Sequence, residues 1–542
     1  MKKWNVRGVY SDGDDIVKLV LKNRGFESDS QIDAFLTPPP FAEFFEQFDQ
    51  EFKDALKKAK EIIGAAVQEN KPIIIHGDYD ADGISATAIL YSTVKNELGY
   101  GNTHYFIPNR FRHGYGLSRK SLEEIFSKFS GGLLITVDCG VTANAEVTYA
   151  KERGFEVIIT DHHQKSDVLP DTGCIVWSDK VVGAGVSWIL SRVLGSKNPS
   201  TIALAALATV TDLQQVLGIN RTILKKGLAV LNTNPPIGLK KLVEIAGRPN
   251  QKITSYDLGW LIGPRLNASG RLVEAEEALK LLLAVDPSEA YDLAVHLNNV
   301  NSSRQDKTLE MTNVAGEFDE NNLPKIIFSA KEEYHEGIIG LVAAKLAQKY
   351  YRPAVVISLF DGQGKGSVRS IPGVNIIEML RELEDLFESL GGHPMAAGFL
   401  IKAEKLGEFE EKLKALGEKK ISENVLVRSL NVDLQIPAAI INEDLYERLS
   451  FMEPFGIGNE EPVFCSLDLG IISLDKVGKE GQHLSMRLYD NSKFVKAIYF
   501  GGGSEFDKYR IGDKVDIAYT LNKNVYQGKV YIDLVVKDLK KV

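Results

Sequence analysis

Residues 51–161 alternate between amphipathic patterns and short apolar runs, and this alternation restricts the possible folds more than any other feature of the sequence. Short apolar runs between polar loops are typical of buried strands, and the amphipathic stretches fit helices. The predicted elements are helices over 51–70, 84–98, 118–129 and 142–153, and strands over 73–75, 103–108, 133–138 and 156–161. Because the strands are apolar on both faces, we predict a parallel sheet covered by helices on both sides.

The rest of the chain changes pattern twice. Residues 184–315 are mainly helical in pattern, and a second β–α pattern runs from 324 to about 405, followed by a helix over 403–420. From about residue 428 onward, short strands separated by turns predict a small barrel of the OB type. The predicted fold class is α/β, with a parallel-sheet domain, a helical connector, a smaller α/β domain and a C-terminal all-β barrel.

The composition of the 542 residues excludes several classes of protein. A hydrophobic fraction of 44% and a charged fraction of 25% are ordinary for globular proteins, which excludes fibrous and wholly disordered chains. The formal net charge of −9 argues against a non-specific coat on nucleic acid, although it is compatible with a local basic channel. Three cysteines are too few for a disulfide framework and indicate a reducing compartment, the cytoplasm. We expect neither a membrane span nor a signal peptide.

Aspartate and histidine side chains follow three of the predicted strands, at the point where each strand ends. These residues are His76, Asp78, Asp80 and Asp82 in the loop HGDYDADG, Asp138 after the third strand, and Asp161, His162 and His163 at the fourth. The carboxyl ends of parallel strands meet at one edge of a sheet, so we expect these side chains to lie close together. Asp212 ends an apolar helical stretch and could fold back onto the same edge.

Two interpretations of this cluster of aspartates and histidines are possible. Each motif alone fits an ordinary helix cap or turn, but their coincidence at one sheet edge favours a metal site. Crowded carboxylates raise one another's pKa, and a divalent cation removes that conflict. Mixed carboxylate and imidazole ligands suit Mn²⁺ or Mg²⁺ better than Zn²⁺, and there are enough of them for two ions.

The motifs HGDYDADG, VDCG and DHH, followed by the later aspartate, resemble those of the DHH phosphoesterase superfamily, in the same order. The resemblance implies that His76, Asp80 and Asp138 bind one ion, and that Asp82, Asp138, His162 and Asp212 bind the other. Asp138 would then bridge the two ions, and Asp80, Asp82, Asp138, His162 and His163 would be catalytic. His163 would face the scissile phosphate, and Asp78 and Asp161 would be outer or partial ligands.

Four further segments carry side chains suited to nucleic acid. Arg110 and Tyr115 lie in the stretch IPNRFRHGYGL and could contact a phosphate and a base. Arg265 and Arg271 lie in PRLNASGR, which we predict to be a polar loop between helices. The remaining candidates are Ser367 and Arg369 in GSVRS, which we predict to be a phosphate cradle, and Gly392 and His393 in GGHPMAAG.

Together these segments resemble the RecJ family of single-stranded-DNA-specific 5′→3′ exonucleases within the superfamily. The resemblance covers nearly the whole chain. It implies two-metal hydrolysis that releases 5′-mononucleotides in DNA repair and recombination, with Arg110, Arg265, Arg271, Ser367, Arg369 and His393 on the substrate's phosphates. Single-strand-binding protein and a helicase are the partners that the family implies. The implied domains are an N-terminal segment (1–50), DHH (51–215), a helical connector (216–318), DHHA1 (319–420) and an OB-like domain (428–542).

Three other functions fit parts of the sequence. An oligoribonuclease or dinucleotide phosphodiesterase would share the DHH and DHHA1 parts, but the barrel favours a longer polymer. An RNA exonuclease remains open because no motif visibly reads a 2′-hydroxyl. An inactive replication-fork scaffold would lose metal ligands, and the six candidate ligands are all present.

Six aromatic residues of the predicted barrel could stack on bases. For any one of them, however, a place in the barrel core is the favoured interpretation. The six are Phe464, Tyr499, Phe500, Tyr519, Tyr526 and Tyr531.

Overall fold

The computed structural model describes residues 2–319, 322–490 and 492–542. The strands are β1 (Lys3–Val6), β2 (Ile73–His76), β3 (Thr103–Phe106), β4 (Gly132–Val137), β5 (Phe155–Asp161), β6 (Cys174–Trp177), β7 (Ile327–Lys331), β8 (Ala354–Phe360), β9 (Gln363–Arg369), β10 (Phe387–His393), β11 (Ala396–Lys402), β12 (Ser429–Val432), β13 (Leu434–Gln435), β14 (Phe464–Val477), β15 (His483–Tyr489), β16 (Phe494–Tyr499), β17 (Lys514–Tyr526) and β18 (Lys529–Lys541).

The helices are α1 (Ile16–Asn23), α2 (Asp29–Leu36), α3 (Phe41–Phe45), α4 (Gln50–Gln68), α5 (Ala81–Tyr91), α6 (Arg119–Phe126), α7 (Asn144–Glu152), α8 (Gly183–Leu194), α9 (Ser200–Thr211), α10 (Gly218–Thr233), α11 (Ile237–Ile245), α12 (Ser255–Asp257), α13 (Gly263–Leu272), α14 (Glu276–Leu283), α15 (Pro287–Val314), α16 (Ile339–Tyr350), α17 (Ile376–Arg381), α18 (Leu406–Lys420) and α19 (Glu443–Ser450). None of the helices in the described ranges is long and apolar enough to cross a bilayer.

The chain forms two compact units. The first, here called the metal-cluster unit, contains residues 33–304 and 454–460, and the second contains residues up to 32, 305–453 and 461–542. Both units are therefore built from separated parts of the sequence.

The sheet of the metal-cluster unit has the strand order β3-β2-β4-β5-β6, and every pair in it is parallel. The predicted parallel sheet is thus confirmed. The short strand β6 was not predicted. Because β2 lies between β3 and β4, the winding of the chain reverses direction there. Ligands of open α/β sheets bind at this reversal, outside the carboxyl ends of the strands. Helices α5 and α9 are buried nearly all round, which explains their uniformly apolar sequences.

The segment PRLNASGR was predicted to be a loop, and this prediction was wrong because it forms helix α13. Gly263 and Pro264 look like helix breakers in the sequence, but both lie in the first turn of the helix. The Gly263 N–H bonds to Leu258 O in the preceding turn, and Pro264, which has no N–H group, is tolerated at the start of the α-helix.

The second unit contains a smaller sheet with the order β10-β11-β9-β8-β7, in which only β7 and β8 are parallel. The GSVRS segment, predicted to be a phosphate cradle, lies inside β9 between β8 and β11. Its backbone groups bond to the neighbouring strands, and only its side chains remain available to a ligand. Gly392 and His393 lie on β10, the edge strand.

The C-terminal barrel has the order β13-β14-β15-β16-β18-β17, and an additional β14–β17 pairing closes it. The predicted OB-type strands are confirmed. Phe464 and Tyr519 are fully buried core residues, whereas Phe500, Tyr526 and Tyr531 are exposed. Strand β1 pairs in parallel with β12, so the N-terminal strand belongs to this unit.

Candidate metal centre

The acidic loop after β2 is held by hydrogen bonds from its own backbone and from α8. Asp80 caps α5 and accepts hydrogen bonds from the backbone N–H groups of Asp82 (2.9 Å) and Gly83 (3.1 Å). The Asp82 carboxylate accepts from the N–H groups of Gly183 (2.8 Å) and Ala184 (2.7 Å), at the start of α8. The positive end of α8 therefore fixes Asp82 at the sheet edge and stabilises its negative charge.

Asp138 directly follows β4 and occupies an unusual backbone conformation. Its φ of 61° lies in the left-handed region, which Asp and Asn adopt more readily than other non-glycine residues. Gly183 approaches its side chain so closely that a Cβ on Gly183 would lie 2.5 Å from Asp138 Oδ1. The backbone of α8 thus confines the Asp138 carboxylate to one position.

His162 points its Nε2 atom at three carboxylates. The distances are 3.1 Å to Asp138 Oδ1, 3.6 Å to Asp82 Oδ2 and 3.8 Å to Asp212 Oδ2. Asp138 Oδ1 is nevertheless buried without a properly oriented hydrogen bond from any described residue, and the same holds for Asp78 Oδ1. Ligand atoms that converge without bonding to one another are arranged around a common point, as a bound cation requires.

Three groups of side chains have ligand atoms within 4.8 Å of one another. These groups are Asp78, Asp80 and Asp138; Asp82, His162 and Asp212; and Asp138, His162 and His163. Five of the six predicted ligands fall in these groups, and Asp138 and His162 each belong to two of them. Oxygen-rich sets that also contain imidazole fit Mn²⁺ or Mg²⁺.

His76 is in none of these three groups, which cover the described residues only. Its Nε2 lies 3.2 Å from Ser121 Oγ, and its Nδ1 lies 3.8 Å from Cys139 Sγ. Asp78, which the resemblance made an outer or partial ligand, takes a place in the first group instead. The geometry therefore favours Asp78 over His76 beside Asp80 and Asp138.

Burial and crowding raise the pKa values of these carboxyls. Burial, reinforced by Asp80, raises the pKa of Asp78 to about 8 and that of Asp82 to about 7. Burial and the neighbouring aspartates also raise the pKa of Asp138. Burial lowers the pKa of His162 to about 4, so its imidazole is neutral and can act as a ligand. Without a cation the cluster retains protons at neutral pH.

This protonation predicts how stability without metal depends on pH. In EDTA, the free energy of unfolding is expected to fall as the pH rises from 5 to 8, because folded Asp78 and Asp82 hold protons that the unfolded chain, with a pKa of 3.8, has released. The slope would reach about 1.4 kcal/mol per pH unit for each such proton. Thermal unfolding measured across this range with EDTA and with Mn²⁺ checks the prediction. A slope that is the same in both would contradict it.

His163 belongs to a chain of hydrogen bonds at the opening of the site. Its Nδ1 lies 2.8 Å from Asp161 Oδ1, and its Nε2 lies 2.9 Å from the Tyr115 hydroxyl. Burial alone would lower the pKa of His163, but the hydrogen bond and charge of Asp161 outweigh it and raise the pKa to about 9. The Asp161 carboxylate also accepts from the N–H groups of Val141, His162 and His163. Asp161 therefore orients the histidine pair.

The predicted substrate-binding residues of the metal-cluster unit have different surroundings. The Arg110 guanidinium lies 5.3 Å from the centre of the Tyr79 ring, beside the acidic loop. Arg265 donates to Leu261 O (2.7 Å) and to Asn298 Oδ1 (3.0 Å), so at least two of its donors are used within the fold. Arg271 lies in the last turn of α13.

In the second unit, Ser367 and Arg369 form a small polar cluster. Arg369 Nη1 lies 3.2 Å from Ser367 Oγ, and a Cβ on Gly340, in the first turn of α16, would meet both side chains at 3.1 Å. A guanidinium, a hydroxyl and a helix start come together here, as an anion requires. His393 is exposed at the sheet edge.

Sequence reasoning missed several residues that position the site. Asn267 Oδ1 accepts a hydrogen bond from Ala81 N (2.7 Å), and a Cβ on Gly270 would lie 2.5 Å from Tyr79 O. Helix α13 therefore packs closely against the acidic loop. Trp177 donates its indole N–H to His163 O (2.7 Å). The sequence does contain an indication of the role of Gly183, because GAG after a short apolar run is typical of a place where the backbone approaches another group closely.

Comparison with known proteins agrees with this fold. The model of the DHH family N-terminal domain matches residues 72–211, that of the DHHA1 domain 323–419 and that of the RecJ OB domain 432–538. The chain is 31% identical over 538 residues to the single-stranded-DNA-specific exonuclease RecJ of Bacillus subtilis, covering 96% of this chain and 67% of that protein. It is 33% identical to RecJ of Thermus thermophilus, covering 90% and 71%.

Solved structures agree as well. The crystal structure of RecJ in complex with Mn²⁺ from Thermus thermophilus matches with a TM-score of 0.84 and 29% identity, over 100% of this chain and 80% of that one. Its Mg²⁺ complex matches with a TM-score of 0.76 and 28% identity, over 100% and 78%. A DHH sheet with carboxylates and histidines at its edge, joined to a DHHA1 domain, defines a phosphoesterase of the DHH class. Within this class, the chain belongs to the RecJ family.

Proposed function

We propose that the chain is a single-stranded-DNA-specific exonuclease that degrades DNA from the 5′ end to 5′-mononucleotides, in DNA repair and recombination. The observation that carries the proposal is the convergence of four buried or half-buried aspartates and His162 at the sheet edge. The specificity for single-stranded DNA rests on the relatives, whose names state that activity.

Asp138 belongs both to the group with Asp80 and to a group with His162. We propose Asp78, Asp80 and Asp138 for one cation and Asp82, Asp138, His162 and Asp212 for the other, with Mn²⁺ or Mg²⁺ in both. His76 stays a proposed ligand from the family resemblance alone. Two such cations stabilise the attacking and leaving oxygens of an in-line displacement at phosphorus.

His163 is the residue proposed to face the scissile phosphate. When protonated, it would carry an N–H group on Nε2, which lies 2.9 Å from the Tyr115 hydroxyl. A phosphate oxygen in that position would accept a charge-assisted hydrogen bond, which is about twice as strong as a neutral one. Asp161 keeps the ring oriented and charged, because it is hydrogen-bonded to Nδ1.

Each unit, taken by itself, carries further residues that we propose as substrate contacts. Arg110, Tyr115 and Arg271 would contact it in the metal-cluster unit, and Ser367, Arg369, Gly392 and His393 in the second unit. Arg265, with donors committed to Leu261 and Asn298, would act mainly by supporting α13. Exposed Phe500, Tyr526 and Tyr531 leave the barrel with aromatic rings for base stacking.

A 5′-phosphorylated single-stranded oligonucleotide labelled at its 3′ end tests the proposed function. With Mn²⁺ or Mg²⁺ we expect a ladder of labelled fragments that shortens from the 5′ end, while a blunt duplex of the same sequence is spared. Matched RNA and a labelled dinucleotide serve as competing substrates. Faster cleavage of RNA, or cleavage of the dinucleotide alone, would replace this proposal by one of the other two phosphodiesterase functions.

We propose the cytoplasm as the location and single-strand-binding protein and a helicase as partners. Cys139, Cys174 and Cys465 are buried and unpaired, which suits a reducing compartment. An enzyme that spares duplex DNA needs another activity to expose a single strand, and that requirement supports the proposed partners.

A further inference from the structure

Two large aromatic side chains are stacked on the surface of the metal-cluster unit. Tyr256 and Trp260 are 64% and 70% exposed, with ring centroids 6.0 Å apart and an angle of 22° between the ring planes. Apolar rings of this size are usually buried, and exposed apolar patches commonly mark binding surfaces. Neither Tyr256 nor Trp260 has a role in the proposed catalytic reaction.

The backbone beneath the pair is firmly held. Thr254 and Asp257 form a reciprocal capping box at the start of α12, and Arg248 Nη1 bonds to Asp257 Oδ1 at 2.5 Å. Ser255 Oγ donates to Phe455 O at 2.6 Å. The two rings are thus presented by an ordered surface.

The helical turn that carries Trp260 packs against the end of α9. Trp260 lies in a π-helical turn, Leu258–Ile262, a conformation that is rare and frequent at functional sites. A Cβ on Gly259 would lie 3.2 Å from Val210, and one on Gly263 would lie 2.3 Å from Thr211. Val210 and Thr211 are the two residues that precede Asp212, a proposed ligand. The π-helical turn is therefore packed against the end of the helix that positions Asp212.

We propose that the Tyr256–Trp260 pair is a stacking platform for a nucleobase of the single strand, close to the metal centre. The proposal rests on the proposed function. Two nearly parallel exposed rings offer the flat apolar surface on which bases of any sequence stack. An exonuclease needs such sequence-tolerant contacts because each base in turn passes the same position.

Trp260→Ala is the variant that tests the platform. We expect it to bind a single-stranded oligonucleotide about 5- to 150-fold more weakly than the wild type, which corresponds to the loss of one stacked base. Trp260→Phe keeps an aromatic ring and is expected to retain most of the affinity. Val285→Ala removes an apolar side chain that is 87% exposed in the same unit, and is expected to bind like the wild type.

Fluorescence of 2-aminopurine locates the stacked base. It is placed at successive positions from the 5′ end of an oligonucleotide whose phosphorothioate linkages resist cleavage. We expect binding to the wild type to quench the fluorescence at one or two adjacent positions, and Trp260→Ala to restore it there. If Trp260→Ala binds and quenches like the wild type while the wild type cuts single-stranded DNA, the platform is wrong and the proposed function stands. If the wild type neither binds nor cuts DNA, the proposed function fails first.

Discussion

Replacing Asp138 by Asn is expected to reduce exonuclease activity by at least about 10³-fold, because Asp138 lies in two of the three ligand groups. Asn tolerates the left-handed backbone at this position, so the fold should persist. Initial rates of nucleotide release from 5′-phosphorylated single-stranded DNA measure the effect. Asp171→Asn, at an exposed carboxylate of the same unit, is the matched control and should retain full activity.

The same substitution is expected to increase stability without metal. Asp138 is buried among Asp82, Asp80 and Asp78, which raise its pKa together with burial, so folding at pH 8 requires this carboxyl either to take up a proton or to bury a charge. A neutral amide removes that free-energy cost. In EDTA at pH 8 the free energy of unfolding should increase, on the order of 1 kcal/mol, and Mn²⁺ should stabilise the variant less than the wild type. Lower stability in EDTA, or unchanged activity, would contradict the role given to Asp138.

Gly183→Ala is expected to lower activity by about 100-fold or more without unfolding the protein. The new Cβ would lie 2.5 Å from both Cβ and Oδ1 of Asp138, so the carboxylate has to shift. A displacement of about 1 Å at a catalytic group can cost 100-fold in rate. Alanine favours helices, and Gly183 is the first residue of α8, so the helix itself should tolerate the change.

A matched glycine gives the control. Gly64 lies inside α4, and its added Cβ would meet nothing within 4 Å. Gly64→Ala should leave activity unchanged and stabilise the protein by about 0.5–1 kcal/mol. The rate of nucleotide release and the Mn²⁺ concentration for half-maximal activity separate the two variants. Equal activity of both would show that α8 does not confine Asp138.

The sheet and most of the cluster could be predicted because periodicity and strand ends are local features of the sequence. Consecutive apolar residues predicted β2, β4 and β5, and the polar residues after them had to share one edge. The hydrogen bonds from the start of α8 to Asp82 could not be predicted, because they join residues about 100 positions apart. The grouping of Asp78 with Asp80 and Asp138 could not be predicted for a similar reason. Which side of a loop faces the cluster depends on packing against Ser121 and Cys139, which no local pattern encodes.

Elsewhere the sequence was ambiguous at the local level. Gly263 and Pro264 predict a loop by composition, and only their place in the first turn of α13 makes them compatible with a helix. GSVRS has the composition of a turn, yet its central position between β8 and β11 makes it a strand. In both cases the tertiary environment outweighed a weak local preference.

The buried guanidinium of Arg221 has a consequence for biosynthesis. It donates to Phe35 O (2.8 Å) and to Pro454 O (3.3 Å), so residues more than 400 positions apart complete one core. A growing chain that stops short of residue 454 leaves this cation without one of its acceptors, and the second unit likewise needs β1 to meet β12. We therefore expect the core of each unit to be completed only after these later residues have been synthesised. A nuclease assembled in this order completes the core behind its catalytic edge only after residue 454 has left the ribosome.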